Sequence, residues 1–204
     1  MNKNKPTAGV IMAAGLSTRM GRPKQLLNLK GKPLIEWVLD ACLNSRLAKT
    51  VLVLGHDYHS IAAALSEKLD NSQILTTINK RYHQGQSQSL RTGLSEVMDE
   101  FPSVMFLLGD QPLVDAKMID LLLTRFWKSG KEICVPVHQG RRGNPSIFSR
   151  NFFAQLMRIQ GDIGAREIIR ANPDRLLSVD VDDPLSFFDI DTEEDLNTLI
   201  TCLK

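Results

Sequence analysis

The sequence contains no hydrophobic run long enough to cross a membrane, no marked excess of either charge and only three cysteines. Each shortage removes a class of function. A spanning helix needs about 20 consecutive apolar residues, and every apolar run here is much shorter. With 25 basic and 23 acidic residues among 204, the net charge of +2 provides no wholesale polyanion-binding surface, so nucleic acid is not an expected partner. Any anion site must be local. Cys42, Cys134 and Cys202 are odd in number, far apart and without a Cys-x-x-Cys pair. They read as buried apolar thiols in a reducing compartment. His56, His59, His83 and His138 are equally scattered, which leaves little support for a histidine metal site or triad. The opening "MNKNKPT" is basic, but the apolar segment after it is short and runs into a glycine loop, a poor signal peptide. The expected location is therefore cytoplasmic. No repeat, low-complexity tract or linker interrupts the chain, so residues 1–204 are expected to form a single domain.

What is present is an ordinary globular composition, 43% hydrophobic and 24% charged, with a regular alternation of patterns. Short β-branched runs ("AGVIMAA", "KTVLVLG", "SQILTTI", "SVMFLLGD", "EICVPV") alternate with segments of helical period ("PLIEWVLDACLNS", "YHSIAAALSEKL", "SQSLRTGLSEVMD", "AKMIDLLLTRFWKS"). That alternation predicts an α/β fold, a three-layer α/β/α domain with a Rossmann-like, wound, mostly parallel sheet. It breaks near residue 138. Beyond lie two further helical pieces, "RNFFAQLMRI" and "GAREIIRAN", and a closing helix, "TEEDLNTLITCL", where Thr192 and the acids after it suit a helix start. In such sheets ligands sit at the carboxyl ends of the strands.

Three loops leave those strand ends with unusual polar residues: Ala14 to Lys24, Gly55 to Tyr58, and Gly109 to Leu113. The first, within "AAGLSTRMGRPKQ", combines Gly15 and Gly21, the hydroxyls of Ser17 and Thr18, and the cations Arg19, Arg22 and Lys24. Glycine lets the backbone approach a phosphate closely, while fixed cations neutralise its charge. Neither a Walker loop nor a Gly-x-Gly-x-x-Gly pattern is present. The plain alternative is a solvated basic loop. The second signal, "LLGDQP", puts Asp110 at the end of an apolar strand, where Mg²⁺ would bind through a carboxylate and phosphate oxygens; the alternative is an aspartate in ordinary turn chemistry. In "FFDIDTEED", Asp189 and Asp191 fall on one side of an extended chain. Either could complete a metal site with Asp110, with Asp189 favoured and Asp191 also suited to supporting the last helix. The segment "HQGQSQSLRTG" adds Gly85, Ser87 and Ser89 at a helix N-terminus, suited to polar recognition of a base or sugar, or simply to capping.

Taken together, "MAAGLSTRMGRPKQLL", "LGDQPLV", "RRGNPSIF", "GDIGAR" and "FDIDTEEDL" resemble the motifs of the molybdenum-cofactor cytidylyltransferase family, in the family's order and over nearly the whole chain. The resemblance implies transfer of CMP from CTP to the phosphate of molybdopterin, with release of pyrophosphate and dependence on Mg²⁺. It implies a triphosphate loop at Ala13, Ala14, Gly15, Ser17, Arg19, Met20, Gly21 and Lys24, with Arg19, Lys24 and Asp110 catalytic. His56, Gly85, Ser87, Ser89 and Gly109 join the nucleotide site. Asp110 and Asp189 are the metal ligands it suggests, with Asp191 still an alternative to Asp189. Arg142, Asn144, Asp162 and Arg166 are candidates for the acceptor side. No general base is then required, because an acceptor phosphate is already an oxyanion nucleophile. Guanylyl-transferring relatives typically carry Ala-Gly-Gly where this chain has Ala13-Ala14-Gly15, and the Ala14 methyl would favour the smaller pyrimidine. Other readings remain: a guanylyltransferase, a nucleotidyltransferase for a sugar or alditol phosphate, or a non-catalytic chaperone that delivers the cofactor to a molybdenum hydroxylase.

Overall fold

The computed structural model describes residues 5–17, 21–162, 164–182 and 187–202. Arg19 and Met20 of the first loop lie outside the described residues. In chain order the strands are β1 (Thr7–Ala13), β2 (Asn28–Leu29), β3 (Lys32–Pro33), β4 (Lys49–Leu54), β5 (Ile74–Ile78), β6 (Ser103–Leu108), β7 (Ile133–His138), β8 (Arg141–Arg142), β9 (Ser146–Ser149) and β10 (Leu176–Asp180). The helices are α1 (Leu34–Leu43), α2 (Tyr58–Ala64), α3 (Ser66–Leu69), α4 (Gln86–Ser95), α5 (Ala116–Ser129), α6 (Phe153–Leu156), α7 (Arg166–Ala171) and α8 (Glu193–Cys202).

The main sheet has the order β10-β7-β9-β6-β1-β4-β5, with β8 paired to β7 and β2–β3 forming a separate hairpin. β1 pairs in parallel with β4 and β6, β4 with β5, and β7 with β10. The expected mostly parallel sheet is therefore present. β9 is the departure: it lies antiparallel between β6 and β7, in the middle of the sheet. This is where the strand–helix alternation fails, because the chain turns straight back after β7 instead of crossing over through a helix.

Both faces of the central strands are covered, which is why they read as continuous apolar runs rather than alternating ones. Ile11, Leu52 and Leu54 pack beneath α1 and α5, against Ile35, Val38 and Leu122. Val10, Val51 and Val53 point the other way, into Leu90 and Leu94 of α4 and Phe152 and Leu156. Gly93 lets α4 approach closely, since a Cβ there would stand 2.3 Å from Val10 Cγ1. A third apolar group joins Leu27, Leu29 and Leu34 to Ile190 and Leu199, fastening the C-terminal segment and α8 beside the β2–β3 hairpin.

Two expectations change. Cys42 and Cys134 are buried, and burial raises both thiols, that of Cys134 to about 12. Cys202 is exposed, because it sits in the last turn of α8. The helix expected over residues 58–69 is two short ones, α2 and α3, which meet at the buried Leu65.

Candidate active site

The carboxyl ends of β1 and β6 open onto a cleft of about 820 Å³. The chain leaves β1 at the buried Ala13 and Ala14 and enters a loop in which Ser17 takes φ 49°. Gln25, only 3% exposed, ties down both arms of this loop. Its Nε2 donates to the Ala13 carbonyl at 3.2 Å and its Oε1 accepts from the Ser17 hydroxyl at 3.4 Å. That hydroxyl in turn accepts from the Lys24 amide at 3.1 Å. Gly15 lines the cleft with open space where a side chain would be, as no atom lies within 4 Å of its virtual Cβ. Its φ is outside the left-handed region, so nothing in the fold demands glycine there. The missing side chain leaves the backbone bare toward the cleft.

Lys24 places its ammonium between two carboxylates, against Asp110 and 3.1 Å from Asp191 Oδ1. Burial lowers the Lys24 pKa, but the charge and hydrogen bond of Asp110, with those of Asp191, outweigh it and raise the group above its usual range. Asp189 and Asp191 flank the fully buried Ile190, whose amide donates to the Asp110 carbonyl at 3.2 Å. Thus the apolar anchor at Ile190 sets both aspartates against the end of β6. Asp189 opens to the cleft and accepts from Gln111 Nε2 at 2.8 Å. Partial desolvation, then the charge of Asp110, pushes its carboxyl above the usual range, against the Gln111 hydrogen bond. Three carboxylates therefore meet one ammonium. Among the described residues no three His, Cys, Asp or Glu side chains form a ready metal cluster. Hard oxygen donors from one or two aspartates nonetheless match how Mg²⁺ is held when phosphate oxygens complete its shell.

The opposite wall comes from the loop before α4 and the loop around Gly161. These meet at close quarters: a Cβ on Gly85 would lie 2.7 Å from the Gly161 backbone. The Gln86 amide, in the first turn of α4, donates to Asp162 Oδ1 at 2.9 Å, so Asp162 caps this helix while facing the cleft. Arg166 also reaches the cleft. Ser89 lines it and accepts from Asn79 Nδ2 at 3.0 Å. Ser87 does not line it; its hydroxyl is fully buried, without a hydrogen-bond partner among the described residues.

Of the residues singled out in the sequence, Ala14, Gly15, Ser17, Lys24, Gly85, Ser89, Gly109, Asp110, Asp162, Arg166, Asp189 and its alternative Asp191 share this cleft. Ala13 lies just beneath it, where a Cβ on Gly109 would approach its methyl to 3.0 Å. Gly21 sits in an exposed turn at φ 62°. His56 is outside the lining, paired with Asp57 and edge-on to Tyr82 at 5.7 Å between ring centroids. Arg142 in β8 and Asn144, which precedes Pro145 through a cis peptide bond, also stand outside the cleft. Sequence reasoning missed Gln25, Gln111 and the Lys24 contact of Asp191. For the two glutamines no local signal was available, as each simply follows a charged residue in "PKQLL" and "GDQPLV".

No helix among the described residues is long and apolar enough to cross a membrane. The chain is similar over most of its length to a crystallised protein of Mycobacterium tuberculosis H37Rv, Rv0371c. The two share 28% identity and a TM-score of 0.83, over 96% of this chain and 98% of the other. A protein of Thermococcus sibiricus named a probable molybdenum cofactor guanylyltransferase is 24% identical over 96% of this chain and 98% of its own length. The bifunctional protein GlmU of Sorangium cellulosum is 30% identical over 57% of the chain, which spans only 25% of that longer protein. Residues 9–176 match the MobA-like NTP transferase domain. With that match covering most of its length, the chain belongs to the MobA-like NTP transferase family.

Proposed function

We propose that this protein transfers CMP from CTP to the phosphate of molybdopterin and releases pyrophosphate. The observation that carries the reading is the meeting, in one cleft, of the bare backbone at Gly15 with Lys24, Asp110, Asp189 and Asp191. An acceptor phosphate oxygen attacks the α-phosphorus of CTP, the new P–O bond forms in line with the bond to the β-phosphate, and that bond breaks. No proton need be removed from the nucleophile, so positioning and charge neutralisation carry the catalysis. Gly15 and Ser17 bring the loop backbone against the triphosphate, and Lys24 exchanges its aspartate partners for phosphate oxygens. Arg19 shares that role by its place in the same loop. Asp110 and Asp189 would hold Mg²⁺, which when bound neutralises charge on the phosphates. A crystal structure of Rv0371c is a complex with manganese. Ala14, Gly85 and Ser89 face the base and ribose, while Asp162 and Arg166 stand on the acceptor side of the cleft. Arg142 and Asn144, outside the cleft lining, would serve the acceptor only at its outer end. The product would pass to a molybdenum hydroxylase.

A second reading, GMP transfer from GTP, draws support from the name of the Thermococcus relative. Turnover with CTP or GTP, molybdopterin and Mg²⁺, followed by pyrophosphate release, decides between them. Higher kcat/KM for CTP is the expected result; a clear GTP preference overturns the cytidylyl assignment, and release only with sugar or alditol phosphates overturns the acceptor.

A further inference from the structure

Gln111 has no part in the reaction just described, yet it is built into the site with unusual care. It is 3% exposed, on the turn immediately after β6, and the following Val114 amide donates to its carbonyl. Its Nε2 donates to Asp189 Oδ1 at 2.8 Å, across 78 residues of sequence. Its Oε1 is buried without a hydrogen-bond partner among the described residues.

The choice of an amide has a physical reason. Asp189 needs a donor to fix the direction of its carboxylate, because the chain around it is loop rather than helix or strand. Lysine or arginine at position 111 would donate equally well but would neutralise the charge that a divalent cation requires. Glutamate would add a fourth carboxylate and repel. A neutral donor orients Asp189 while leaving its charge available. We infer that Gln111 is a positioning residue that holds Asp189 in register for the divalent cation, the hydrogen bond between Gln111 and Asp189 setting the site's metal affinity. This rests on the metal assignment made under the proposed function.

Mn²⁺ binding to the whole protein with a non-hydrolysable CTP analogue, measured by titration with electron paramagnetic resonance, tests it. Replacing a group that orients a metal ligand typically weakens metal affinity by about 10–100-fold. Gln111→Met is expected to weaken Mn²⁺ binding by about tenfold, and to raise the Mn²⁺ concentration for half-maximal turnover equally while kcat at saturating metal recovers. In an Asp189→Asn background, Gln111→Met should have no further effect, because the partner it acts through is gone. Gln111→Glu, similar in shape, guards against a packing artefact and should also weaken Mn²⁺ binding. Unchanged Mn²⁺ affinity in folded Gln111→Met and Gln111→Glu proteins overturns the inference, as does full additivity with Asp189→Asn. If Asp110→Asn abolishes Mn²⁺ binding while Asp189→Asn leaves it unchanged, the inference falls and the metal-dependent transferase survives. If neither substitution matters, both fall.

Discussion

Lys24 sets one ammonium against two carboxylates in the cleft, those of Asp110 and Asp191, with Asp189 close by. Its raised pKa keeps it charged throughout the neutral range, so its contribution to turnover should be independent of pH there. Lys24→Ala and Asp110→Ala should each lower kcat/KM by about 100-fold or more, the scale seen when a group stabilising transition-state charge is removed. Pyrophosphate release and far-UV circular dichroism would separate that loss from unfolding, and near-normal turnover in both variants would remove their catalytic role. At Ala14 the structure refines the steric idea. The methyl abuts Gly55, where an added Cβ would lie 2.7 Å from it and 2.9 Å from Tyr82 Cβ. Ala14→Gly should shift the kcat/KM ratio toward GTP by about tenfold, the lower end of what one methyl achieves in a pocket. An unchanged ratio would clear Ala14 of base selection. Gly15, Ser17, Lys24 and Asp110 were legible as residues because each carries its chemistry within its own loop. Gln25 and Gln111 were not, because a glutamine's role depends on partners that only folding brings near.

Two elements hold the site in shape, and each makes a separate prediction. Thr192 and Asp195 form a reciprocal cap on α8. The Asp195 amide donates to Thr192 Oγ1 at 3.1 Å, while the Thr192 and Asp191 amides donate to Asp195 Oδ2 at 2.7 and 3.0 Å. Asp195→Ala should cost about 1 kcal/mol, a typical loss for a helix cap, and should lower turnover by releasing the backbone beside Asp191. Urea unfolding and a steady-state assay check the two effects. In α4, Gly93→Ala gains about 1 kcal/mol of helix propensity. The new methyl, however, would meet Val10 Cγ1 at 2.3 Å and Val53 Cγ2 at 2.8 Å, and overpacking typically costs about 1–3 kcal/mol. Because β1 and β4 are covered on both faces, neither valine has room to retreat, so net destabilisation is expected in urea titration. The cap was readable from "TEED", since its partners are three residues apart. The need for glycine at position 93 was not, because Val10 and Val53 belong to other strands.

Across the whole molecule, Asp40 of α1 ties that helix to Lys32 of β3 and Lys68 of α3. Burial would raise its pKa, but the two lysines prevail and hold the carboxyl below the usual range. A carboxyl depressed on folding contributes all its stabilisation above its unfolded value of about 4 and loses it as pH falls through the folded value. The difference in unfolding free energy between wild type and Asp40→Asn should therefore be constant from neutral pH to about pH 5 and shrink below it. For this half-exposed cluster it should amount to about 1 kcal/mol or less. A difference that grows on acidification would contradict the assignment. At this scale the amino-acid sequence determined the class of fold, the strands β1, β4, β5, β6 and β7, the helices α1, α4 and α5, the glycine loop and the aspartate after β6, because alternation and loop composition are short-range properties. Only the tertiary structure decided that β9 runs antiparallel between β6 and β7, that Arg142 and Asn144 lie outside the cleft, and that Gln111 and Asp189 face one another. Those outcomes depend on contacts between residues far apart in the chain, whose pairing is settled by packing around buried anchors such as Ile190 rather than by any local pattern.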